Sequence, residues 1–305
     1  MLFRSNQKFN EAISLLQHVL EYRPQQLESW ITLAKLQAYR NRHTESEVAV
    51  RRVLKLDAQH YEANVLLARM VMSRFHFEQA EKILNQLLEA YPEDPRIDAE
   101  LALSELYANR GWIERASELD HLMVQKQPTS LQAWQLLFCH LEAAPVDPQQ
   151  HRDLQSRFLK ALGVNAQTTH LNPPDASRKL RLGVLGGDLR GDFCATLCLP
   201  VLEMLNTSQF EVMVYFNGEV FDRTSQRLRH VVGADNWRFT RGLTQEMMIG
   251  LIQQDEIDVL IDLDGHGPHN QLPTLAAHPA PVQIKWLGNT ASTGVENIGY
   301  WLTDK

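Results

Sequence analysis

Apolar positions fall into two regimes along the 305 residues. As far as about residue 142 they recur at helical spacing, in blocks of similar length separated by turn residues. From Leu180 onward, short runs of strand formers such as "LRLGVLG", "FEVMVYF", "DVLIDL" and "VQIKWL" alternate with helical stretches.

In the first regime the blocks repeat. Ala12, Ser46, Ala80 and Ala116 are spaced 34, 34 and 36 apart, and Pro24, Ala58, Pro92 and Pro128 keep the same steps. So do Leu33, Leu67, Leu101 and Leu137, and Ala34, Ala68 and Ala102 each follow a repeat leucine. Trp30 and Trp134 lie 104 apart, the sum of those three steps. A small residue lets paired helices approach closely, and a proline ends one helix because it cannot continue an interior ladder. The pattern resembles the tetratricopeptide repeat, from about Phe9 to Glu142. The first unit shows only its second helix. The two extra residues of the third unit are expected in the turn at "YANRGW", Tyr107–Trp112. Trp30, Tyr61, Phe75, Phe77, Trp112 and Trp134 read as packing between helices. The resemblance implies a concave surface for a protein or peptide partner.

A joint follows. Asp147-Pro148 is a helix-start signal, Pro148 to Leu162 reads as one more helix, and Gly163 is its stop. Asn172-Pro173-Pro174-Asp175 is turn and linker chemistry. The expected division is a helical repeat domain at 1–145, a linker helix and loop at 146–179, and an α/β lobe at 180–305.

In the second regime strands are expected at Leu180–Leu185, Phe210–Phe216, Asn236–Phe239, Val259–Leu263, Val282–Leu287 and Tyr300–Thr303. Helices are expected near Ala195–Leu205, Thr224–Val232, Thr244–Asp255 and Gln271–His278. Alternation of this kind predicts right-handed βαβ units and a mostly parallel, Rossmann-like sheet. The fold class is therefore α + α/β, an α-solenoid followed by a parallel-sheet lobe. Function belongs in loops at the carboxyl ends of strands, where "GGDLRGDFCAT", "DLDGHGPHN" and "GNTASTG" stand out.

Composition narrows the function. Formal net charge is −7. Residues 180–305 hold 9 Lys/Arg against 15 Asp/Glu, and residues 1–179 hold 21 against 22. Neither part has the basic excess of a nucleic-acid binder. No run approaches the ~20 apolar residues of a membrane span, and "MLFRSNQKFNEAISLL" has no secretory pattern. Three cysteines, Cys139, Cys194 and Cys198, argue for a reducing, cytoplasmic setting. Cys194 and Cys198 read as small buried hydrophobes, and no metal cluster is visible. Glycines at 183, 186, 187 and 191 do not form G-x-G-x-x-G, and no Walker A sequence occurs, which disfavours a generic nucleotide-binding Rossmann domain.

"HPAPVQIKWLGNTASTG", after "VLIDLDGHGPHN" and before "YWLTD", resembles the SPINDLY/O-GlcNAc transferase family of glycosyltransferases. The family joins tetratricopeptide repeats to a two-lobed GT-B region. It implies transfer of N-acetylglucosamine from UDP-N-acetylglucosamine to Ser or Thr of a protein, with the UDP-sugar as substrate and no separate cofactor. This chain would supply the repeats and the acceptor-side lobe. The lobe that binds UDP would come from a longer chain or a separate polypeptide, so the 305 residues alone are expected to be inactive.

The resemblance also distributes roles. Asp188 stands at the family's first loop, as an acceptor-side carboxylate or an Asx-turn or helix cap. Asp192 stands where the family has a histidine, and Thr196 where it has a second. A carboxylate with a pKa near 4 is a weaker base than imidazole unless partly buried. His266, between Gly265 and Gly267, matches a family His or Tyr and faces either the sugar or the turn's own backbone. Asp192 and His266 are thus the catalytic candidates. Asp188, Gly265, Asn270, Gly288, Asn289, Thr290, Ser292, Thr293 and Gly294 are the substrate-binding candidates. Gly288 to Gly294 matches a family loop whose tyrosine, proline and inner glycine are replaced here. The altered loops leave a second reading open, a non-catalytic protein-binding relative.

Overall fold

The computed structural model describes residues 2–40, 42–141, 147–163, 169–170, 172–173, 175, 177–187, 189–218, 220–267, 269–289 and 292–303, with backbone only for 2–8 and 148. The chain divides into two compact units, Met1–Gln127 and Pro128–Lys305.

The first unit contains α1 (Leu2–Tyr22), α2 (Leu27–Tyr39), α3 (His43–Leu56), α4 (Tyr61–Met72), α5 (Phe77–Ala90), α6 (Asp98–Asn109) and α7 (Ile113–Lys126). Helices pack in pairs, α2 on α3, α4 on α5 and α6 on α7. Each pair closes on small residues. Ala34, Ser46, Ala80, Ser104 and Ala116 are wholly buried. Ser46 Oγ donates to Ala34 O at 2.7 Å, and Ser104 Oγ donates to Asp120 Oδ1 at 2.5 Å while lying 3.5 Å from Ala116 O, so both serines face a small residue 12 positions away. Around them Leu84, Leu87, Leu103 and Leu106 fill the core.

The placement of Ser104 against Ala116 corrects the repeat register. Ser104, not Ala102, is the close-approach residue of the third pair. The two extra residues therefore lie in the connection 91–97 between α5 and α6, not at Tyr107–Trp112. Leu101 and Leu103 are both buried, so an apolar pattern alone cannot choose between the registers. The longer connection is pinned. Arg96 N donates to Asp94 Oδ1 at 2.9 Å, and the Arg96 guanidinium lies 3.7 Å over the Tyr61 ring.

The second unit runs α8 (Leu131–Leu141), α9 (Pro148–Leu162), β1 (Leu180–Gly186), α10 (Phe193–Met204), β2 (Phe210–Phe216), α11 (Arg223–Val232), β3 (Trp237–Phe239), α12 (Gln245–Gln254), β4 (Val259–Asp262), α13 (Leu272–Ala276), β5 (Val282–Trp286) and β6 (Tyr300–Leu302). Each expected strand and helix of this stretch is present, with ends shifted by two residues at most. The helix at Pro148 forms as expected. Asp147 caps it by accepting from Gln149 N at 3.2 Å, and Gly163 ends it at φ 64°.

Helix α8 packs within the second compact unit, which begins at Pro128. Trp134 and Phe138 of α8 meet Phe158 of α9, with ring centroids 5.6 Å apart in both pairs.

The sheet is parallel throughout, in the order β3-β2-β1-β4-β5-β6. Chain progression reverses between β1 and β4, so the loops that leave these strands part company there. In open α/β sheets this switch point is where ligands bind. At the opposite end of β1, Asp258 accepts two bonds from the Arg178 guanidinium, at 2.7 and 2.5 Å, and one from Arg181 N at 2.8 Å. Among the described residues no helix is long and apolar enough to cross a membrane.

Candidate functional site

The loops after β1, β4 and β5 meet at the carboxyl edge of the sheet. Asp262 ends β4 fully buried, and its carboxylate accepts from Asp264 N at 3.1 Å and Gly265 N at 3.0 Å. This turns the chain sharply and aims Asp264 at the first loop. There both Asp264 oxygens accept from Gly187 N, at 3.0 and 2.8 Å. Burial pushes the Asp262 carboxyl up, and the charge of Lys285 opposes this. Lys285 is paired with Asp262 in the β4–β5 register, is 3% exposed, and donates from Nζ to Leu287 O at 3.1 Å.

Two glycines let the loops close. Gly265 has φ +55°, and a Cβ there would stand 2.6 Å from Lys285 Nζ. Gly288 has φ +67°, and a Cβ there would stand 2.0 Å from Leu263 O. At Gly288 no larger residue fits, because positive φ coincides with a backbone carbonyl, whereas at Gly265 a side chain would have to displace the Lys285 ammonium as well as adopt positive φ.

The candidates named from sequence take these positions. His266 does not face outward. It is 1% exposed, its ring lies on Phe138 with centroids 4.1 Å apart and planes 22° apart, and Phe158 is 5.3 Å away. Burial holds its imidazole down to about 3, so it is neutral at neutral pH. Its Nε2 is buried with no hydrogen-bond partner among the described residues. The exposed histidine of this turn is His269, at φ 63°. Asn270 closes its own turn, donating to Gly267 O at 3.1 Å and accepting from Leu272 N at 3.3 Å. Asn289 Nδ2 donates to Cys139 Sγ at 3.4 Å, and Cys139 Sγ donates to His266 O at 3.8 Å. Ser292 is exposed, while Thr293 is buried with Oγ1 accepting from Val295 N at 3.3 Å. Gly294 packs against the Gln155 side chain of α9. Asp188 and Thr290 lie outside the described residues.

Asp192 is the N-cap of α10, its Oδ1 accepting from Ala195 N at 3.1 Å. The capping aspartate of this loop among the described residues is therefore Asp192, which the family resemblance had marked for catalysis. Two residues on, Cys194 Sγ donates to Leu263 O at 3.8 Å, which ties α10 to the β4 loop. Burial, then the charge of Asp192, pushes the Cys194 thiol up to about 11, so it is a packing group and not a nucleophile at neutral pH. Cys198 is fully buried, as expected for a small core residue.

Three participants escape the sequence reading: Asp262, Asp264 and Lys285. The available signal was a lone cation in the apolar run "VQIKWL" opposite the alternating acids of "LIDLD". Buried charges of this kind are paired or hydrogen-bonded.

Together these features define a repeat-bearing protein with a Rossmann-type lobe whose three switch-point loops are locked together by buried charges. A family model described as "Glycosyl transferase family 41" matches residues 153–305, and one described as "Tetratricopeptide repeat" matches residues 38–103. The chain belongs to glycosyl transferase family 41. It is 31% identical over 158 residues to the Oryza sativa subsp. japonica protein named "Probable UDP-N-acetylglucosamine--peptide N-acetylglucosaminyltransferase SPINDLY", covering 51% of this chain and 17% of that one. To the Arabidopsis thaliana protein of the same name it is 27% identical, again over 51% of this chain and 17% of that one. The solved structure of an O-GlcNAc transferase mutant from Thermobaculum terrenum superposes with a TM-score of 0.81 at 26% identity, over 92% of this chain and 54% of that one. The chain thus spans less than a fifth of the length of these curated relatives and about half of the transferase structure.

Proposed function

We propose that this chain is the acceptor-side part of a protein O-glycosyltransferase. The reaction moves N-acetylglucosamine from UDP-N-acetylglucosamine to a Ser or Thr hydroxyl of a protein. The bond from the sugar's anomeric carbon to the UDP oxygen breaks with its electron pair leaving on UDP, a bond to the hydroxyl oxygen forms, and the hydroxyl proton passes to the departing phosphate or to solvent. The observation that carries this reading is the loop junction at the switch point, closed by Gly265 and Gly288, inside the segment that matches the transferase family. Asp262, Asp264 and Lys285 hold the junction. Ser292 is its exposed hydroxyl, and the repeats bind the acceptor protein, as stacked helical pairs commonly do. The UDP-sugar is a substrate, its main contacts come from a second lobe in a longer or separate polypeptide, and no cofactor is called for. Three free cysteines fit a cytoplasmic setting.

A second reading, a peptide-binding relative without catalysis, is favoured by one observation. His266 is sealed against Phe138 and cannot reach a hydroxyl in this arrangement. Joining the chain to a UDP-binding lobe of the family and assaying transfer of labelled sugar to Ser/Thr peptides separates the two. Glycopeptide product supports transfer. Peptide retained without product supports the binding module.

A further inference from the structure

Residues 180–305 are acidic overall, yet three of their nine basic residues lie on the ten-residue α11. Arg223, Gln226, Arg227 and His230 are exposed at positions i, i+3, i+4 and i+7, which is one helix face. The opposite face buries Ser225 and Leu228. Arg223, Gln226, Arg227, Arg229, His230 and the Gly233–Ala234 turn line a cavity of about 610 Å³.

Helix stability accounts for Arg229 and His230, which lie in the last turn where the dipole favours cations, but not for Arg223 and Arg227. Arg223 occupies the first turn, where the helix dipole disfavours a cation. Arg223 and Arg227 are like charges four apart, which is also unfavourable. The nearby acids do not neutralise the face. Asp222 is occupied as the cap, accepting from Gly191 N at 2.8 Å, Thr224 N at 2.9 Å and Ser225 N at 3.0 Å. Glu203 pairs with Arg227 at 2.6 Å, but both side chains are substantially exposed, and such a pair is worth at most about 1 kcal/mol. Asp235 follows the turn and is exposed. Arg229 Nε is buried with no partner among the described residues.

We propose that this face of α11 binds an acidic peptide segment. Guanidinium forks match carboxylates bidentately. Four helical residues rise about 6 Å, and alternate side chains of an extended strand lie about 6.6 Å apart. Carboxylates at alternate positions of an extended peptide therefore meet Arg223 and Arg227 in step, with Arg229 and His230 further along the cavity. The site does not depend on glycosyl transfer.

The test is fluorescence anisotropy of a labelled peptide alternating Glu and Ala, titrated with the full chain. Binding is expected to weaken with salt and to fall at least about tenfold in Arg223→Glu/Arg227→Glu. The charge-reversed variant should in turn take up a Lys-Ala peptide. Arg223→Gln/Arg227→Gln, which keeps both side chains long and polar, should lose the acidic peptide with its circular dichroism unchanged. Undiminished binding in the variants would place the peptide elsewhere and overturn the proposal. So would equal binding of a Gln-Ala peptide, or a variant-sensitive response to inorganic phosphate or phosphatidylglycerol vesicles with none to the Glu-Ala peptide.

Discussion

The imidazole of His266 lies flat on the ring of Phe138, with centroids 4.1 Å apart. Burial keeps it neutral down to about pH 3. In the unfolded chain the same group takes up a proton near pH 6.5. The folded form therefore loses stability as pH falls from 6.5 toward 3, by up to ~1.4 kcal/mol per unit. His266→Phe should flatten that dependence, leaving the smaller contribution of His278, which burial and then His170 also hold down. Urea midpoints of both proteins between pH 7 and 4 test this. Parallel slopes would show that His266 protonates in the folded state.

Gly288→Ala should destabilise the sheet unit by more than ~2 kcal/mol, since positive φ alone costs ~1–2 kcal/mol and a carbonyl occupies the new methyl's place. Gly242→Ala is the control. Gly242 has φ +84° but nothing within 4 Å of an added Cβ. Denaturant titration of the two variants isolates the close contact, and equal losses would remove it from the account.

Asp258 gives the sheet an acid-sensitive clamp. Burial pushes its carboxyl up, but the Arg178 guanidinium, Arg181 N and Asn172 outweigh this and hold it below the usual range. A depressed carboxyl stabilises above the unfolded pKa of ~3.9, and that stability is lost as pH falls through the lower folded value. Asp258→Asn should destabilise the sheet unit at neutral pH, because the carboxylate that accepts from Arg178 and from Arg181 N is lost. Its deficit should shrink below pH 4, as read from melting curves across that range.

Asp192→Ala should cost ~1 kcal/mol through loss of the α10 cap, and Asp192→Ser should restore most of it. Thermal unfolding reads this directly. Transfer by a chain carrying the UDP-binding lobe reads the other role, because a base would be lost in the serine variant and a cap would not.

Ala116→Leu should cost ~1–3 kcal/mol by overpacking against Ser104. The same change at exposed Glu118 should cost little. Chemical denaturation that ranks the two otherwise would reject the close approach of α6 and α7 at Ala116.

Much of this was legible in sequence, for local reasons. Strands β1 and β2 are long apolar runs with little ambiguity, and α9 announces both its ends with Asp147-Pro148 and Gly163. The repeat was legible in period but slipped in phase, because Leu101 and Leu103 suit the same core and only Ser104 marks the close approach. The fate of His266 was not legible. Phe138 and Phe158 lie more than 100 residues earlier and look like ordinary helical core positions. Asp192 illustrates the converse. Its cap geometry is a local property, three residues from Ala195, but a family alignment draws attention to chemistry first.

The parallel sheet has a consequence for how the molecule comes into being. Helix pairs of the first unit close over turns of a few residues, and such local contacts form early. Strand β1 has no such shortcut. Its loop at Gly187 meets Asp264 only 77 residues further on. During synthesis β1 and β2 must wait, one edge bare, until β4 emerges. In that interval the nascent sheet is open to pairing with other chains, and the yield of folded protein turns on how quickly Asp264 arrives.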